Sequence, residues 1–367
     1  MSADPSVVIW RSALLPASET FVRNHGTNLT RWRPVYLGAT KVESVLASDD
    51  DVIAFPSDRA FLRLRLTGSS PRLRAALAAI RPDVVHAHFG GDGWLISRAA
   101  ADLDVPLVVT VHGHDVTRQP RAPGLHGVRY RRNLRTVFRR AAVVLAVSEH
   151  IRARAIERGA DPAKVRVHHT GVPIPEAVPE VSKRWDVVFV GRLVEKKGVD
   201  DLLHALALIP DRPRALIVGG GPLEGRLRAL AADLDVTFTG PRTPEQVSRH
   251  LAESRVLAAP SKTAGDGDSE GMPTTILEAS AWGLPVVATR HSGIPEAVVH
   301  GDTGLLSAEA DPAGLAENLR RLLADEALRT RLGGRGRARV AADFDLRRQS
   351  LRLEELYDSL VVSRVAS

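Results

Sequence analysis

The feature that most restricts the fold is a series of short, unbroken apolar runs, each about one strand long and each separated from the next by a stretch with helical spacing. In the first half these runs cover residues 6–10, 34–38, 83–89, 105–111 and 142–147. A sheet with one wet face would alternate polar and apolar residues. A parallel sheet covered by helices on both faces reads instead as continuous apolar segments. The predicted fold class is therefore α/β with parallel sheets, in which binding sites gather at the carboxyl ends of the strands. With 367 residues and 44% apolar content, the chain has material for two such domains, each with its own core.

The second half repeats the pattern and adds chemistry. A strand over 186–190 leads into the charged turn Gly191-Arg192-Leu193-Val194-Glu195-Lys196-Lys197-Gly198, and another over 216–218 into Gly219-Gly220-Gly221. A glycine-rich turn alone is weak evidence for phosphate binding, and this one lacks the full dinucleotide fingerprint. The run at 256–259 is closed by Pro260-Ser261, a loop follows over 262–271, and helical spacing covers 274–282 with Pro273 suited to the first turn. The start of that helix offers unpaired N–H groups and a partial positive charge, a ready site for phosphate. Glu270 on the loop and Glu278 inside the helix can accept hydrogen bonds from sugar hydroxyls. They are equally explained as surface glutamates near a helix start, where each carboxylate gains ~0.3–1 kcal/mol.

The rest of the block decides between these readings. Gly283-Leu284-Pro285-Val286-Val287-Ala288-Thr289 gives a helix stop and a buried strand, and Ser292-Gly293-Ile294-Pro295-Glu296 a glycine-proline turn. With Glu270 and Glu278 as a glutamate-x7-glutamate motif, this string closely resembles the retaining glycosyltransferases of the GT-B fold, family four, the glycosyl transferases group one. The resemblance implies two facing Rossmann-like domains with parallel sheets. An acceptor-binding domain is expected over 1–172, a proline-rich linker over 173–184, and a nucleotide-sugar-binding domain over 184–345. A C-terminal helix within 346–367 is expected to cross back to the first domain.

By the same resemblance, Arg192 and Lys197 bind the donor phosphates, joined by the helix start at Thr274 and Thr275. Glu278 holds the ribose, Glu270 the transferred sugar, and Gly240 lies in backbone around the base. Met272-Pro273 stands where many members have an aromatic residue and glycine, which changes the shape beside the sugar. His112, in Val111-His112-Gly113-His114-Asp115, matches the histidine that contacts the donor hexose, with His114 next to it. The loop after the first strand, read as residues 13–21, lacks the family's common glycine pair. Its Ser18-Glu19-Thr20-Phe21 resembles the exopolysaccharide and colanic-acid branch. Ser18 and Thr20 are candidates for ligand contact in this loop, or caps of the helix that follows.

Composition narrows the function classes. The net charge of +7 fits an anionic partner, a peripheral membrane contact, or simply arginine-rich codon usage. Only 4% of residues are aromatic and no nucleic-acid motif is present, which argues against nucleic acid. Arg63 and Arg65, Arg72 and Arg74, and the series Arg129 to Arg140 read as solvated faces. The absence of cysteine excludes disulfides and thiolate metal sites. No metal and no cofactor are expected. Asp266-Gly267-Asp268 reads as a solvated acidic loop, and His86 and His88 as strand-end histidines bonded to backbone. No run approaches ~20 apolar residues and no signal peptide begins the chain, so the expected location is cytoplasmic, or peripheral to the inner face of the membrane.

The expected activity is transfer of a hexose-type sugar, with retention and without metal, from a nucleoside-diphosphate sugar, UDP-linked, to an acceptor hydroxyl. The acceptor is a polysaccharide, a glycolipid or a secondary metabolite such as an antibiotic. A UDP-sugar 2-epimerase, a pseudo-glycosyltransferase and a catalytically silent nucleotide-sugar-binding subunit are the rival readings.

Overall fold

The computed structural model describes residues 4–16 and 19–365. The chain divides into two compact units, Met1–Gly171 with Leu346–Ser367, and Val172–Asp345.

In the first unit the apolar runs become strands and the intervening segments helices. In order they are β1 (Ser6–Leu14), α1 (Thr20–Thr27), β2 (Arg33–Lys41), β3 (Val52–Ile53), α2 (Asp58–Thr67), α3 (Pro71–Ile80), β4 (Val84–His88) and α4 (Gly90–Asp102). Then come β5 (Leu107–Val111), α5 (Gly124–Arg140), β6 (Val143–Ala146), α6 (Glu149–Glu157) and β7 (Val165–Val167). The strands form one sheet in the order β3-β2-β1-β4-β5-β6-β7, every pair parallel. Ser57, Ser70 and Ser148 start α2, α3 and α6 by accepting the backbone N–H three residues on, which satisfies one of the donors a helix start leaves open.

The second unit holds β8 (Trp185–Val190), α7 (Val199–Ala207), β9 (Ala215–Val218), α8 (Glu224–Leu230), β10 (Val236–Gly240), α9 (Pro244–Ala252), β11 (Ser254–Ala259) and α10 (Thr274–Ala281). It continues with β12 (Val286–Thr289), α11 (Ile294–Ala297), β13 (Gly304–Ser307), α12 (Pro312–Ala324) and α13 (Glu326–Asp343). Its sheet is also fully parallel, in the order β10-β9-β8-β11-β12-β13. Val187, Phe189, Ile217, Val256 and Val287 meet Leu202, Leu206, Leu315 and Leu319 of α7 and α12 in one buried cluster. In both sheets the chain order reverses, between β1 and β4 and between β8 and β11; at such a point of a parallel sheet the loops leaving neighbouring strands run in opposite directions, which is where ligands generally bind.

Two elements differ from the sequence expectation. β1 continues to Leu14, because Arg11, Ala13 and Leu14 pair with Gly38, Thr40 and Lys41 of β2; the loop expected over 13–21 is correspondingly shorter. Pro273 is the residue before α10 rather than in its first turn, at φ −68° and ψ 109°.

The closing helix α14 (Leu346–Val365) belongs to the first unit. Its Glu354 is fully buried and accepts N–H bonds from Thr30 (2.5 Å) and Arg31 (2.7 Å). Asp358 accepts the Trp32 indole N–H at 2.9 Å, and Tyr357 packs on the Trp32 ring. Tyr357 Oη also lies 2.6 Å from His86 Nδ1, whose other nitrogen lies 2.6 Å from Thr110 Oγ1. His86 is thus bonded to side chains and not, as expected, to backbone. Beside it His25, His88 and His168 are buried, and both ring nitrogens of His25 lack partners among the described residues.

Two outcomes follow. Glu354→Ala removes a fully buried carboxylate that accepts the Thr30 and Arg31 N–H groups, a loss on the order of 2 kcal/mol for hydrogen bonds to a charged acceptor, readable as an earlier midpoint in urea; an unchanged midpoint would refute this role. Burial lowers His25 from 6.5 to about 4, and burial together with the His25 charge lowers His168 to about 3. Above pH 6.5 these rings are neutral in the folded and the unfolded chain alike. Below it the unfolded chain binds protons that the folded chain refuses, so stability falls as the pH drops. For His25 the loss is on the order of 3 kcal/mol and is complete near its folded value. Melting temperature should decline steadily from pH 6.5 to about 4; a flat profile would contradict it.

Candidate functional site

The candidate donor site lies at the reversal point of the second sheet. Gly198 has φ +63° and ends the turn after β8; a Cβ there would stand 1.9 Å from the Pro260 carbonyl oxygen. Only glycine permits that approach, which sets the Lys196–Lys197 turn against the loop leaving β11. The contact is sealed by Lys262 N–H donating to Lys196 O at 2.8 Å, while the Lys262 ammonium pairs with Asp200 (2.9 Å) and Asp201 (2.8 Å) on α7. Lys196 pairs with Asp268 at 3.2 Å with both side chains largely covered, so Asp268 is a pinned anion and not part of a solvated loop.

Lys197 faces Glu270, Nζ to Oε1 at 3.0 Å. Burial alone would raise the Glu270 pKa, but the charges of Lys197 and Lys196 outweigh it and hold the carboxylate below its usual range. Glu278 is moved the other way: burial raises it, and the Thr274 hydroxyl and Lys197 offset that only partly. The motif's two carboxylates therefore differ in charge affinity, as expected where one cation sits nearer to one of them. At the start of α10 no side chain caps the helix, and the N–H groups of Thr274 and Thr275 have no partner among the described residues. Met272 is buried beside them. Arg192, on the same turn as Lys197, is exposed and makes no ion pair among the described residues. Gly240 ends β10 at φ +73°, and its carbonyl already accepts the Gly219 N–H at 3.0 Å.

His291 and Glu309 were not legible as site residues. His291 is buried; its Nε2 accepts the Glu270 N–H at 3.1 Å, and its Nδ1 lies 2.7 Å from Glu309 Oε1, an arrangement that places the ring proton on Nδ1. Ser292 Oγ donates to the Glu270 carbonyl. Together they clamp the Glu270 backbone from both sides. The available signal was position: His291 and Ser292 lie between the Val-Val-Ala-Thr strand and the Gly-Ile-Pro-Glu turn.

The reversal point of the first sheet carries a second polar cluster. Arg11 in the last half of β1 pairs with Glu19 and Asp92, and its guanidinium lies 4.3 Å from the Phe89 ring centre. Asp92 also accepts the Ser12 hydroxyl at 2.7 Å and the Ser12 N–H at 2.8 Å. Phe89 turns from β4 into α4 at φ 71°, a conformation that a bulky residue keeps only where its surroundings enforce it. Its ring lies 4.5 Å from His112 and 5.2 Å from His114. His112 lies between Phe89 and Phe21, and its Nε2 lies 3.0 Å from His88 Nδ1, so His88 too has a side-chain partner. Burial and the charges of His25 and Arg11 hold His112 well below its ordinary value, so it is neutral near pH 7. Asp115 fixes the loop by accepting the N–H groups of Gly90, His112 and Gly113.

Thr20 begins α1 as its first helical residue, and the preceding residue is Glu19, so Thr20 is not the cap. Ser18 lies outside the described residues. Among the described residues no group of three His, Asp or Glu side chains is arranged to hold a metal ion, and no helix is long and apolar enough to cross a membrane.

Comparison with known proteins matches this architecture from both ends. The glycosyltransferase family 4 model covers residues 19–175, and the glycosyl transferases group 1 model covers residues 184–325. The chain is 31% identical over 293 residues to the amylovoran biosynthesis glycosyltransferase AmsK of Erwinia amylovora, covering 76% of this chain and 70% of that one. It is 34% identical over 273 residues to the GDP-mannose-dependent alpha-(1-6)-phosphatidylinositol monomannoside mannosyltransferase of Mycolicibacterium smegmatis, covering 68% and 69%. Among solved structures it is similar to Anabaena Alr3699/HepE in complex with UDP-glucose, at TM-score 0.79 and 20% identity over 96% of this chain and 99% of that one. The two parallel sheets, the family models across both units and these relatives place the chain among the glycosyl transferases of group 1, glycosyltransferase family 4, with the GT-B fold.

Proposed function

We propose that this glycosyltransferase moves a hexose from a nucleoside-diphosphate sugar to an acceptor hydroxyl during assembly of a polysaccharide or glycolipid, with retention and without metal. The observation that carries the reading is the Lys197–Glu270 pair beside the uncapped start of α10. A leaving diphosphate develops negative charge, and fixed cations and N–H dipoles aimed at it lower the barrier. Lys197, Arg192 and the N–H groups of Thr274 and Thr275 are assigned to the diphosphate. Glu278 is assigned to the ribose and Glu270 to hydroxyls of the transferred sugar, with Met272 and Pro273 shaping that end and Gly240 near the base.

On the first unit His112, His114 and Thr20 are assigned to substrate contact. His112 is suited to a hexose hydroxyl because a neutral ring held by His88 can donate or accept a hydrogen bond without bringing charge. In the proposed step the bond from the sugar's anomeric carbon to the phosphate oxygen breaks, the acceptor oxygen bonds to that carbon on the same face, and the acceptor proton passes to the leaving phosphate.

The donor is assigned as UDP-linked. A second reading, a GDP-linked mannose, is supported by the GDP-mannose dependence named for the mycobacterial relative. The amylovoran relative supports a polysaccharide acceptor, and the mycobacterial one a phosphatidylinositol glycolipid.

The test is transfer from radiolabelled UDP- and GDP-hexoses to lipid-linked and oligosaccharide acceptors. Glu270→Ala should reduce kcat by at least about a hundredfold, as loss of one preorganised site group does, with the melting temperature little changed. Full activity in that variant would overturn the assignment. Transfer should also continue in excess chelator; its complete arrest, reversed by a divalent cation, would contradict the metal-independent scheme.

A further inference from the structure

Away from the strand ends, the first unit has a cavity of about 290 Å³ at the meeting of the α2 carboxyl end with α4 and α5, lined by Gly68, Trp94, Arg98, Arg132, Arg139 and Arg140 among others. Four guanidinium groups line it and no carboxylate does. Arg98 pairs with Asp102 at 3.1 Å, but both are solvent-accessible, so the pair is screened and weak. Arg140 donates to Ser97 Oγ at 3.0 Å and Arg139 to Thr136 Oγ1 at 3.4 Å, both neutral partners. Burial and the charges of Arg98 and Arg139 lower the Arg140 pKa, the mark of cations crowded without enough counter-charge.

The cavity is built rather than incidental. Gly68 ends α2 at φ +68°, with its ideal Cβ position 2.7 Å from the Trp94 ring, so the α2 terminus rests directly on the indole. Arg129 of α5 reaches across to the carbonyls of Arg65 and Leu66, the latter at 2.8 Å, and lies 5.6 Å from the Trp94 ring centre. Leu62 and Leu66 on α2 and Leu125 and Val128 on α5 stand out into solvent, Leu125 at 88% exposure. Leu62 and Leu66 are one helical turn apart on α2, whose end lines the cavity, and Val128 is one turn from Arg132 on α5.

We propose that this face docks the enzyme on an anionic membrane, with lipid phosphate taken by the guanidinium groups of Arg98, Arg132, Arg139 and Arg140 and the four exposed apolar side chains entering the headgroup boundary. The charge is complementary to such a surface, and guanidinium forks match phosphate oxygens. Four large apolar side chains exposed on α2 and α5, two of the helices that wall the cavity, separate a membrane from a soluble phosphate compound, which would leave them in water. The inference does not depend on the donor assignment.

The experiment is co-sedimentation of the whole purified protein with vesicles of phosphatidylcholine alone and of phosphatidylcholine with phosphatidylglycerol, at low and high salt. The wild type should bind only the anionic vesicles, and less at high salt. Arg132→Glu with Arg139→Glu should weaken that binding by about tenfold or more, since each change both removes and reverses a charge near the surface. Leu66→Ser with Leu125→Ser should weaken it even at low salt. All four positions are exposed, and unchanged melting curves confirm that the variants are folded. Equal binding to neutral and anionic vesicles, or unaltered binding in both double variants, would overturn the proposal. So would calorimetric binding of inorganic phosphate at this cavity with no vesicle binding, which would identify a soluble ligand.

Discussion

A parallel sheet buried on both faces leaves its polar chemistry nowhere to go but the strand ends, and both sheets here obey that constraint. Each strand's backbone is paired on its two sides except at the edges, and helices cover the faces, so side chains within strands are committed to packing. What remains is the row of loops at the carboxyl ends, widest where the strand order reverses. In the second unit that point receives the Lys196–Lys197 turn from β8 and the Glu270 loop from β11. In the first it receives Arg11 from β1 and Phe89 and Asp92 at the start of α4. The two clusters arise from the same topological cause.

Within the second unit, charge is arranged so that neighbouring groups do different work. Lys196 and Lys262 are consumed by Asp268 and by Asp200 and Asp201, which fixes the loop. Lys197 meets Glu270, and Arg192 is left in solvent without an ion pair among the described residues. Burial pulls Glu270 and Glu278 in the same direction, yet the nearer lysines reverse the outcome at Glu270 alone. The His291–Glu309 pair acts on Glu270 through its backbone, so the carboxylate is aimed by contacts that do not compete for its oxygens. In the first unit the histidines are kept neutral by burial, which suits contact with uncharged hydroxyls but makes that unit sensitive to acid.

Most of the strands were legible because they are continuous apolar runs, and the glutamate motif because its spacing, glycines and prolines occur together. The end of β1 was hidden because Arg11 and Ser12 break the run; only Asp92 and Glu19, distant in sequence or past a turn, make a polar strand end tolerable. The two-residue strand β3 is too short for any period. His86, His88 and His291 were misread or missed for one reason: their partners Tyr357, His112 and Glu309 are set by the fold and not by sequence proximity. The arginines of α5 read as a solvated face, and most of them are exposed; what the sequence did not show is that Arg132, Arg139 and Arg140 line one cavity with Arg98 and Trp94 of α4 and the end of α2.

The central claim is that Lys197 and the start of α10 hold a nucleoside diphosphate. Calorimetric titration of UDP and GDP into the wild type and into Lys197→Ala, without metal, tests it most directly. The account requires that one nucleotide bind the wild type and bind the variant at least about tenfold more weakly, as loss of one charge-assisted phosphate contact implies. Equal affinity in the two proteins, or no binding of either nucleotide to a folded wild type, would contradict it.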